Sequence, residues 1–270
     1  MAQLTPKALG LRVGLPVLGV WILALVFSRP WSYAAAAVIT VAAGALVTWV
    51  IRFANKSRAV ASLVQGAQTP AARKEALAKL QTDYKKGDTA AIFARAQLEL
   101  HEDPRVALAT LETIDLNKVM APMADEARAQ RAMIHLILGE PDRARQLVDG
   151  IELSRQQQAK SRAMLVSVMG EAWARTGQGK KALDTLSVFD PEDPEYADLK
   201  PQLYRAYAFA YAALQDTKGI RRVLRKMVEI NPQLLGGFCV KKVHPLLKRE
   251  AEEMLKRSGA VPRKIVYRPN

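Results

Sequence analysis

The feature that most constrains the fold is a recurrence of side-chain size at an interval of 38 residues. Seven positions follow the order large, large, small, aromatic, small or branched, large, proline, and each has a counterpart 38 residues later. The first set is Val166, Met169, Gly170, Trp173, Ala182, Leu186 and Pro194, and the second is Tyr204, Tyr207, Ala208, Tyr211, Ile220, Leu224 and Pro232. Such a recurrence predicts modules that stack in series, because each module leaves an apolar face for its neighbour to cover.

Fainter copies precede these two. One interval earlier, Ala132 and Ala144 keep the small positions, and a further step of 37 residues reaches Ala107 and Leu111. From about residue 57 onward apolar residues recur at helical spacing, interrupted by Gly, Pro or Asp, and no strand pattern is present. The sequence therefore predicts helical pairs within a repeat region at 57–242, at about 57–86, 88–115, 125–152, 163–194 and 201–232.

The two clear copies resemble the tetratricopeptide repeat. That family has the pattern Trp-x2-Leu-Gly-x2-Tyr, then Ala-x3-Phe, then Pro, with a period of about 34 residues. This chain has V-x2-M-G-x2-W…A-x3-L…P at 166–194 and Y-x2-Y-A-x2-Y…I-x3-L…P at 204–232. Overall the resemblance covers roughly half of the chain. It implies an all-α solenoid in which Gly170 and Ala208 lie where the two helices of a unit cross.

The same resemblance implies a groove that binds peptides or partner domains and is lined by the first helix of each unit. In this sequence the implied groove residues are Ile92, Ala129, Met133, Ser167, Glu171, Arg175, Arg205 and Phe209. Chaperone-binding members of the family grip a terminal carboxylate with several Lys, Arg and Asn side chains. This chain offers Arg205 at one such place and small or apolar residues at most of the others.

The stretch RTGQGKKAL at 175–183 has two glycines and a lysine, as a phosphate-binding loop does. Such a loop needs Gly-x4-Gly-Lys-Ser/Thr between a strand and a helix. Here Ala174 stands at the position of the first glycine, Lys181 stands at that of the hydroxyl residue, and the preceding residues are helical in pattern. Gly177 matches Gly139 one period earlier, so the stretch is predicted to be a turn in which glycine ends a helix.

The N-terminal region is apolar. After a flank at 1–8, the segment 9–53 has two long uncharged runs, separated only by Ser28, Arg29 and Pro30. About 20 residues of helix cross a bilayer, so spans at about 9–28 and 31–51 predict a transmembrane helical hairpin. A cleaved signal peptide and a hairpin buried in a soluble domain are the alternatives, but no cleavage site or covering partner is evident.

The charges beside these runs predict the orientation of the hairpin. Lys7 and Arg12 lie at the start of the first run, and Arg52, Lys56 and Arg58 follow the second. Positive flanks favour the cytoplasmic side, so the chain is expected to be a two-span integral membrane protein with both termini in the cytoplasm. In a bacterium this is the inner membrane.

The C-terminal region is basic, with 14 basic and 4 acidic side chains at 218–270 and a net charge of +14 for the whole chain. Arg221, Arg222, Arg225 and Lys226 share one helix, and with Arg52, Lys56 and Arg58 they are candidates to contact anionic lipid or an acidic partner. A solvated charged face explains them equally well. Nucleic acid is disfavoured because few aromatic side chains lie nearby. An amphipathic helix at 243–258 is expected to cap the stack, followed by a basic tail at 259–270.

Residues for catalysis are not evident in this sequence. His101, His135 and His244 are far apart and lack the companion ligands of a metal site, and Gly-x-Ser-x-Gly is absent. We therefore predict no enzyme activity, catalytic residue, metal or cofactor. The expected function is a membrane-anchored scaffold that binds a partner protein through its repeats. The alternative is an accessory subunit of a membrane channel or secretion complex in which the hairpin packs against other spans.

Overall fold

The computed structural model of the chain describes residues 17–23, 25–26, 30–85, 87–240 and 242–259. Within these ranges all regular elements are helical, and none is a strand. The prediction of an all-α protein is confirmed. The helices form two compact units, Met1–Lys85 and Lys86–Asn270.

The first unit contains helical residues at 17–23 and 25–26, followed by α1 (Pro30–Gly66) and α2 (Pro70–Asp83). Trp21 Nε1 donates a hydrogen bond of 3.0 Å to Thr40 Oγ1 and so ties the first helical residues to α1. Thr69 caps α2, because its side chain accepts from the Ala72 amide, and Pro70 follows at the first helical position. Of the predicted repeat at 57–86, residues 57–66 belong to α1 itself.

The predicted transmembrane hairpin is wrong. Among the residues that the structure describes, no helix combines the length and the apolar character needed to cross a membrane. The prediction rested only on the length and the lack of charge of the two runs. Of the first predicted span, residues 9–16, 24 and 27–28 lie outside the described residues. The integral-membrane localisation with cytoplasmic termini rested on the hairpin and is corrected with it.

The second unit consists of four antiparallel helical pairs and a C-terminal helix. The pairs are α3 (Thr89–Glu99) with α4 (Pro104–Glu112), α5 (Ala121–Leu138) with α6 (Pro141–Val148), α7 (Ala159–Arg175) with α8 (Gly179–Leu186), and α9 (Lys200–Ala213) with α10 (Thr217–Ile230). Short 3-10 helices lie at Leu153–Arg155, Pro194–Leu199 and Pro232–Phe238, and α11 (Pro245–Arg257) follows.

Aspartate and proline set where several of these helices begin. The Asp88 carboxylate accepts from the Ala90 amide at the start of α3, and Asp103 accepts from Arg105 before Pro104 opens α4. Asp216 accepts from the Gly219 amide at the start of α10. These side chains satisfy backbone donors that have no partner inside the helix, so each helix start is specified locally.

The 38-residue interval is visible in the backbone. The helices α6, α8 and α10 begin at residues 141, 179 and 217. The turn before each one contains a residue with positive φ: Gly139 at 74°, Gly177 at 87° and Gln215 at 56°. A left-handed residue reverses the chain at the end of each first helix, and glycine adopts this conformation at the least cost. The stretch 175–183 is therefore a helix-ending turn, as the sequence predicts.

Small residues allow the two helices of a pair to approach. A Cβ atom added to Gly170 on α7 would lie 2.9 Å from Leu186 Cδ1 on α8, and Leu186 is fully buried. Ala132 and Ala208 occupy the same register in the neighbouring pairs and have no exposed surface. Trp173 fills the space beside the crossing and donates a 2.8 Å hydrogen bond from Nε1 to Asp149 Oδ1 in the preceding pair.

The pairs stack in series. Each helix from α3 to α10 contacts the next along the chain, and the first helices also contact one another, α5 with α7 and α7 with α9. The C-terminal helix α11 packs on α10, on α9 and on the 3-10 helix Pro232–Phe238. This arrangement is consistent with a helical solenoid, because neighbouring pairs bury the apolar face that each pair leaves open.

Candidate functional site

The first helices α3, α5, α7 and α9 together form the surface on which the sequence placed a groove, here called the first-helix face. The eight predicted groove residues do lie on these helices, but most are not available to a partner. The structure buries Ala129, Ser167, Glu171 and Phe209, leaves Ile92 and Met133 partly exposed, and places Arg175 and Arg205 in ion pairs.

An ion-pair network occupies the part of this face between α7 and α9. Glu171 Oε2 accepts from Arg205 Nε at 2.7 Å, and Glu171 Oε1 accepts from Arg205 Nη2 at 2.9 Å and from Arg175 Nη1 at 3.0 Å. Arg175 also donates to the Leu136 carbonyl at the end of α5, at 2.9 Å. Burial by itself raises the pKa of Glu171, but the charges and hydrogen bonds of Arg205 and Arg175 outweigh it, so the pKa is lowered. The network joins three consecutive pairs.

The chain itself covers this network. The rings of Phe238 and Phe209 meet edge to face at 5.6 Å, and the Arg205 guanidinium lies 5.3 Å from the Phe209 ring centroid and 5.7 Å from that of Phe238. Further along, Lys242 Nζ reaches the Leu138 and Gly139 carbonyls at 3.3 and 3.4 Å, where a cation complements the C-terminus of α5. This half of the first-helix face is therefore closed by residues 232–240 and by Lys242.

The other half, toward the N-terminal turns of the first helices, is open. Between α3 and α5 lies a crevice of about 430 Å³ whose walls include Ile92, Ile114, Val119, Met120 and Met123. Met120 is 65% exposed although it is a large apolar side chain. An ion pair between Lys118 and Asp115, 3.1 Å long, lies at the same crevice. We call this opening the α3–α5 crevice.

A second opening, the α5–α7 crevice, lies beside the first. It has a volume of about 260 Å³ and is lined by Glu126, Gln156, Gln158, Lys160, Ser161, Met164, Leu165 and Leu199. Met123 lines the first crevice and Glu126 the second, and residues three apart on a helix are neighbours. The two crevices therefore both lie beside the first turns of α5.

Two charged residues, Glu126 and Lys160, line the α5–α7 crevice, and of these two Glu126 has no ion-pair partner among the described residues. Its Oε1 accepts a hydrogen bond of 3.3 Å from Gln130, and no ion pair to Glu126 is present within the described ranges. Burial raises the pKa of Glu126, and the hydrogen bond from Gln130 only partly offsets this effect. Lys160, on the opposite wall, forms its own ion pair with Asp198.

The predicted basic contacts lie elsewhere. On α10, Arg221 is paired with Glu250 of α11 at 2.6 Å, and Lys226 lies 3.4 Å from Glu229 and 3.6 Å from Glu192. Arg222 and Arg225 are exposed. Arg52, Lys56 and Arg58 lie on α1, but their side chains are outside the described part of the structure. Contact with anionic lipid or an acidic partner stays a prediction.

The described residues also bear on chemistry. Among them, no group of three His, Cys, Asp or Glu side chains could hold a metal ion. His135 is buried, and its Nδ1 lies 2.9 Å from Glu140 Oε2. This contact lowers the pKa of Glu140 and fixes the turn between α5 and α6. The contact between His135 and Glu140 therefore stabilises the C-terminal end of α5.

Sequence reasoning missed Met120, Met123, Glu126, Lys160 and Met164, which line the open crevices. Their signal was available: the residues on α5 and α7 lie three or four positions apart near the start of a predicted first helix. Of the eight groove residues that the resemblance implies, Ile92 lines the α3–α5 crevice, and Ala129, Ser167, Glu171 and Phe209 are buried.

Comparison with known proteins gives no match: no family model, no curated protein and no solved structure matches this chain. Because no described helix could cross a membrane and no tetratricopeptide-repeat family model matches, the identification as a tetratricopeptide-repeat protein with a transmembrane hairpin is wrong, although the stacked helical pairs are compatible with repeats of that kind. The sequence agrees only in part with that family's pattern. Two copies are clear, the period is 38 residues instead of 34, and the earlier copies lack the aromatic and proline positions. What the structure shows is an all-helical chain of two units, the second of which is a stack of helical pairs.

Proposed function

We propose that the chain is a helical-repeat scaffold that binds a segment of a partner protein along the α3–α5 and α5–α7 crevices. The observation that carries the proposal is the pair of crevices beside α5, both open to solvent and each lined in part by methionine and aliphatic side chains. Concave surfaces that combine apolar side chains with a few polar and charged groups are where proteins hold ligands. Binding, and not catalysis, is the role that such walls support.

Methionine suits this role. Met120, Met123 and Met164 contribute to the walls, and a flexible, polarisable thioether adapts to side chains of different shape. An exposed apolar side chain such as Met120 gains free energy when a partner removes it from water. The proposal keeps the predicted partner-binding role and drops the membrane anchor, together with the accessory-subunit alternative that depended on it.

Site-specific photocrosslinking in the cells that make the protein tests this proposal. A photoreactive amino acid replaces Met120 or Met164 in the full chain, and Val188, which is 74% exposed beyond the end of α8, serves as the matched apolar control. We expect one and the same protein to crosslink at positions 120 and 164 and not at 188. No crosslinked protein at either crevice, or equal crosslinking at 188, contradicts the proposal.

A further inference from the structure

The carboxylates of the second unit follow a consistent pattern. Four are buried among the described residues, and each is held by at least one arginine. The pairs are Glu99 with Arg95, Asp125 with Arg128 and Arg155, Glu171 with Arg175 and Arg205, and Glu250 with Arg221 and Arg249. A buried charge without such a partner is costly, so this pairing is expected.

Glu126 departs from the pattern. It is partly buried on the wall of the α5–α7 crevice, yet Gln130 is its only hydrogen-bond partner among the described side chains. The cations packed around this crevice are engaged elsewhere: Lys160 with Asp198, Arg128 with Asp125, and Arg155 with Asp125 and Glu152. Arg162 donates to the Gln156 carbonyl. The carboxylate is thus desolvated and left without a cation at an opening to solvent.

We infer that Glu126 selects the partner of the proposed function by pairing with a lysine or arginine side chain that enters the α5–α7 crevice beside an aliphatic residue. The aliphatic neighbour is specified by the other walls, since Met164, Leu165 and Leu199 line the same crevice. A partner's ammonium or guanidinium group supplies the charge-assisted hydrogen bonds that Glu126 lacks.

The charge of the surrounding modules supports a cationic partner. Residues 87–158, which contain α3 to α6, carry 12 acidic and 8 basic side chains, although the whole chain has a net charge of +14. The partner segment is therefore attracted to these modules and repelled by the basic C-terminal region, which favours one binding position over others. This inference rests on the proposed function, because it names the chemistry of the segment that the crevices hold.

Selection from a random peptide library, displayed on phage and panned against the full chain, tests the inference. The variants are Glu126→Gln, which keeps the shape and removes the charge, and Glu102→Gln, which removes an equal charge from an exposed turn. We expect wild type and Glu102→Gln to enrich peptides with Lys or Arg next to Leu, Ile or Met. We expect Glu126→Gln to lose the basic preference and to bind the enriched peptides at least about tenfold more weakly.

The overall charge makes this result diagnostic, because a chain of net charge +14 attracts acidic peptides non-specifically. Wild-type enrichment without a basic residue, or a basic preference that Glu126→Gln retains, overturns the inference while the proposed function stands. Enrichment by none of the three proteins contradicts the proposed function itself.

Acidic pH gives an independent readout on the same peptides. Burial raises the pKa of Glu126, so its carboxylate is protonated at a higher pH than an ordinary glutamate. A basic peptide pairs with the ionised form, and its affinity for wild type is expected to fall as the pH drops through this raised pKa. The affinity of the peptide for Glu126→Gln is not expected to fall in this pH range. An equal fall in affinity for both proteins overturns the inference.

Discussion

Replacing Glu171 with alanine is expected to lower the free energy of unfolding by about 3–5 kcal/mol, because it leaves two arginines without their shared counter-charge. Arg175 and Arg205 both donate to this carboxylate, and the side chains of Glu171 and Arg175 are 7% and 8% exposed. Water therefore replaces the lost contacts poorly. Urea unfolding of the full chain, followed by circular dichroism, measures the loss as a shift of the midpoint.

A matched control is Glu253→Ala. Glu253 pairs with Arg257 on α11 at 3.7 Å, where the two side chains are 45% and 82% exposed, and such surface pairs contribute little. Equal shifts of the unfolding midpoint for the two variants contradict the view that the Glu171 network holds three helical pairs together.

Lowering the pH should remove the stabilisation by Glu171 only at strongly acid pH. The pKa of Glu171 is lowered in the folded chain, so its contribution is present above the pKa of an unfolded glutamate. That contribution is lost as the pH falls through the lower folded pKa. The free energies of unfolding of wild type and Glu171→Gln are therefore expected to converge at strongly acid pH. A difference in unfolding free energy that persists there contradicts the lowered pKa of Glu171.

Replacing Phe238 with alanine is the second large expected effect, a loss of about 3–5 kcal/mol of unfolding free energy. The ring is fully buried, packs edge to face on Phe209, and covers the Arg205 guanidinium. Its removal leaves a cavity and also admits water to the Glu171 network. The unfolding midpoint in urea measures this loss.

Two companion variants separate these causes. Phe238→Leu keeps most of the apolar volume and is expected to cost less than the alanine variant. Val240→Ala lies two residues further along at a side chain that is 51% exposed, and a small change is expected there. If Phe238→Ala is as mild as Val240→Ala, residues 232–240 do not close the first-helix face.

Much of the fold of the second unit could be predicted because it is encoded locally. Gly139 and Gly177 indicate where two first helices end, and Gly170 indicates where α7 crosses α8. Gln215 performs the same reversal with a positive φ of 56°, but glutamine carries no such signal. The third turn was therefore visible only through the 38-residue interval.

The candidate site depends on contacts distant in sequence, so the sequence alone does not show which part of the first-helix face is open. Helical spacing identifies one stripe of α7 that includes Met164, Glu171 and Arg175, and it does not distinguish the open part from the closed part. Arg205 and Phe238, 34 and 67 residues after Glu171, determine that distinction. The N-terminal prediction rested on run length and lack of charge, and no helix among the described residues meets the requirement for a membrane span.

The most direct test of the central claim, that a partner occupies the two crevices, uses the eight methionines as reporters. In the full chain labelled with 13C at the methionine methyl groups, a peptide retained in the selection is added and each methyl resonance is followed. We predict shifts at Met120, Met123 and Met164, and none at Met227, which is buried on α10. Shifts confined to Met254, which lines a crevice between α10 and α11 with Arg221 and Arg225, contradict the claim.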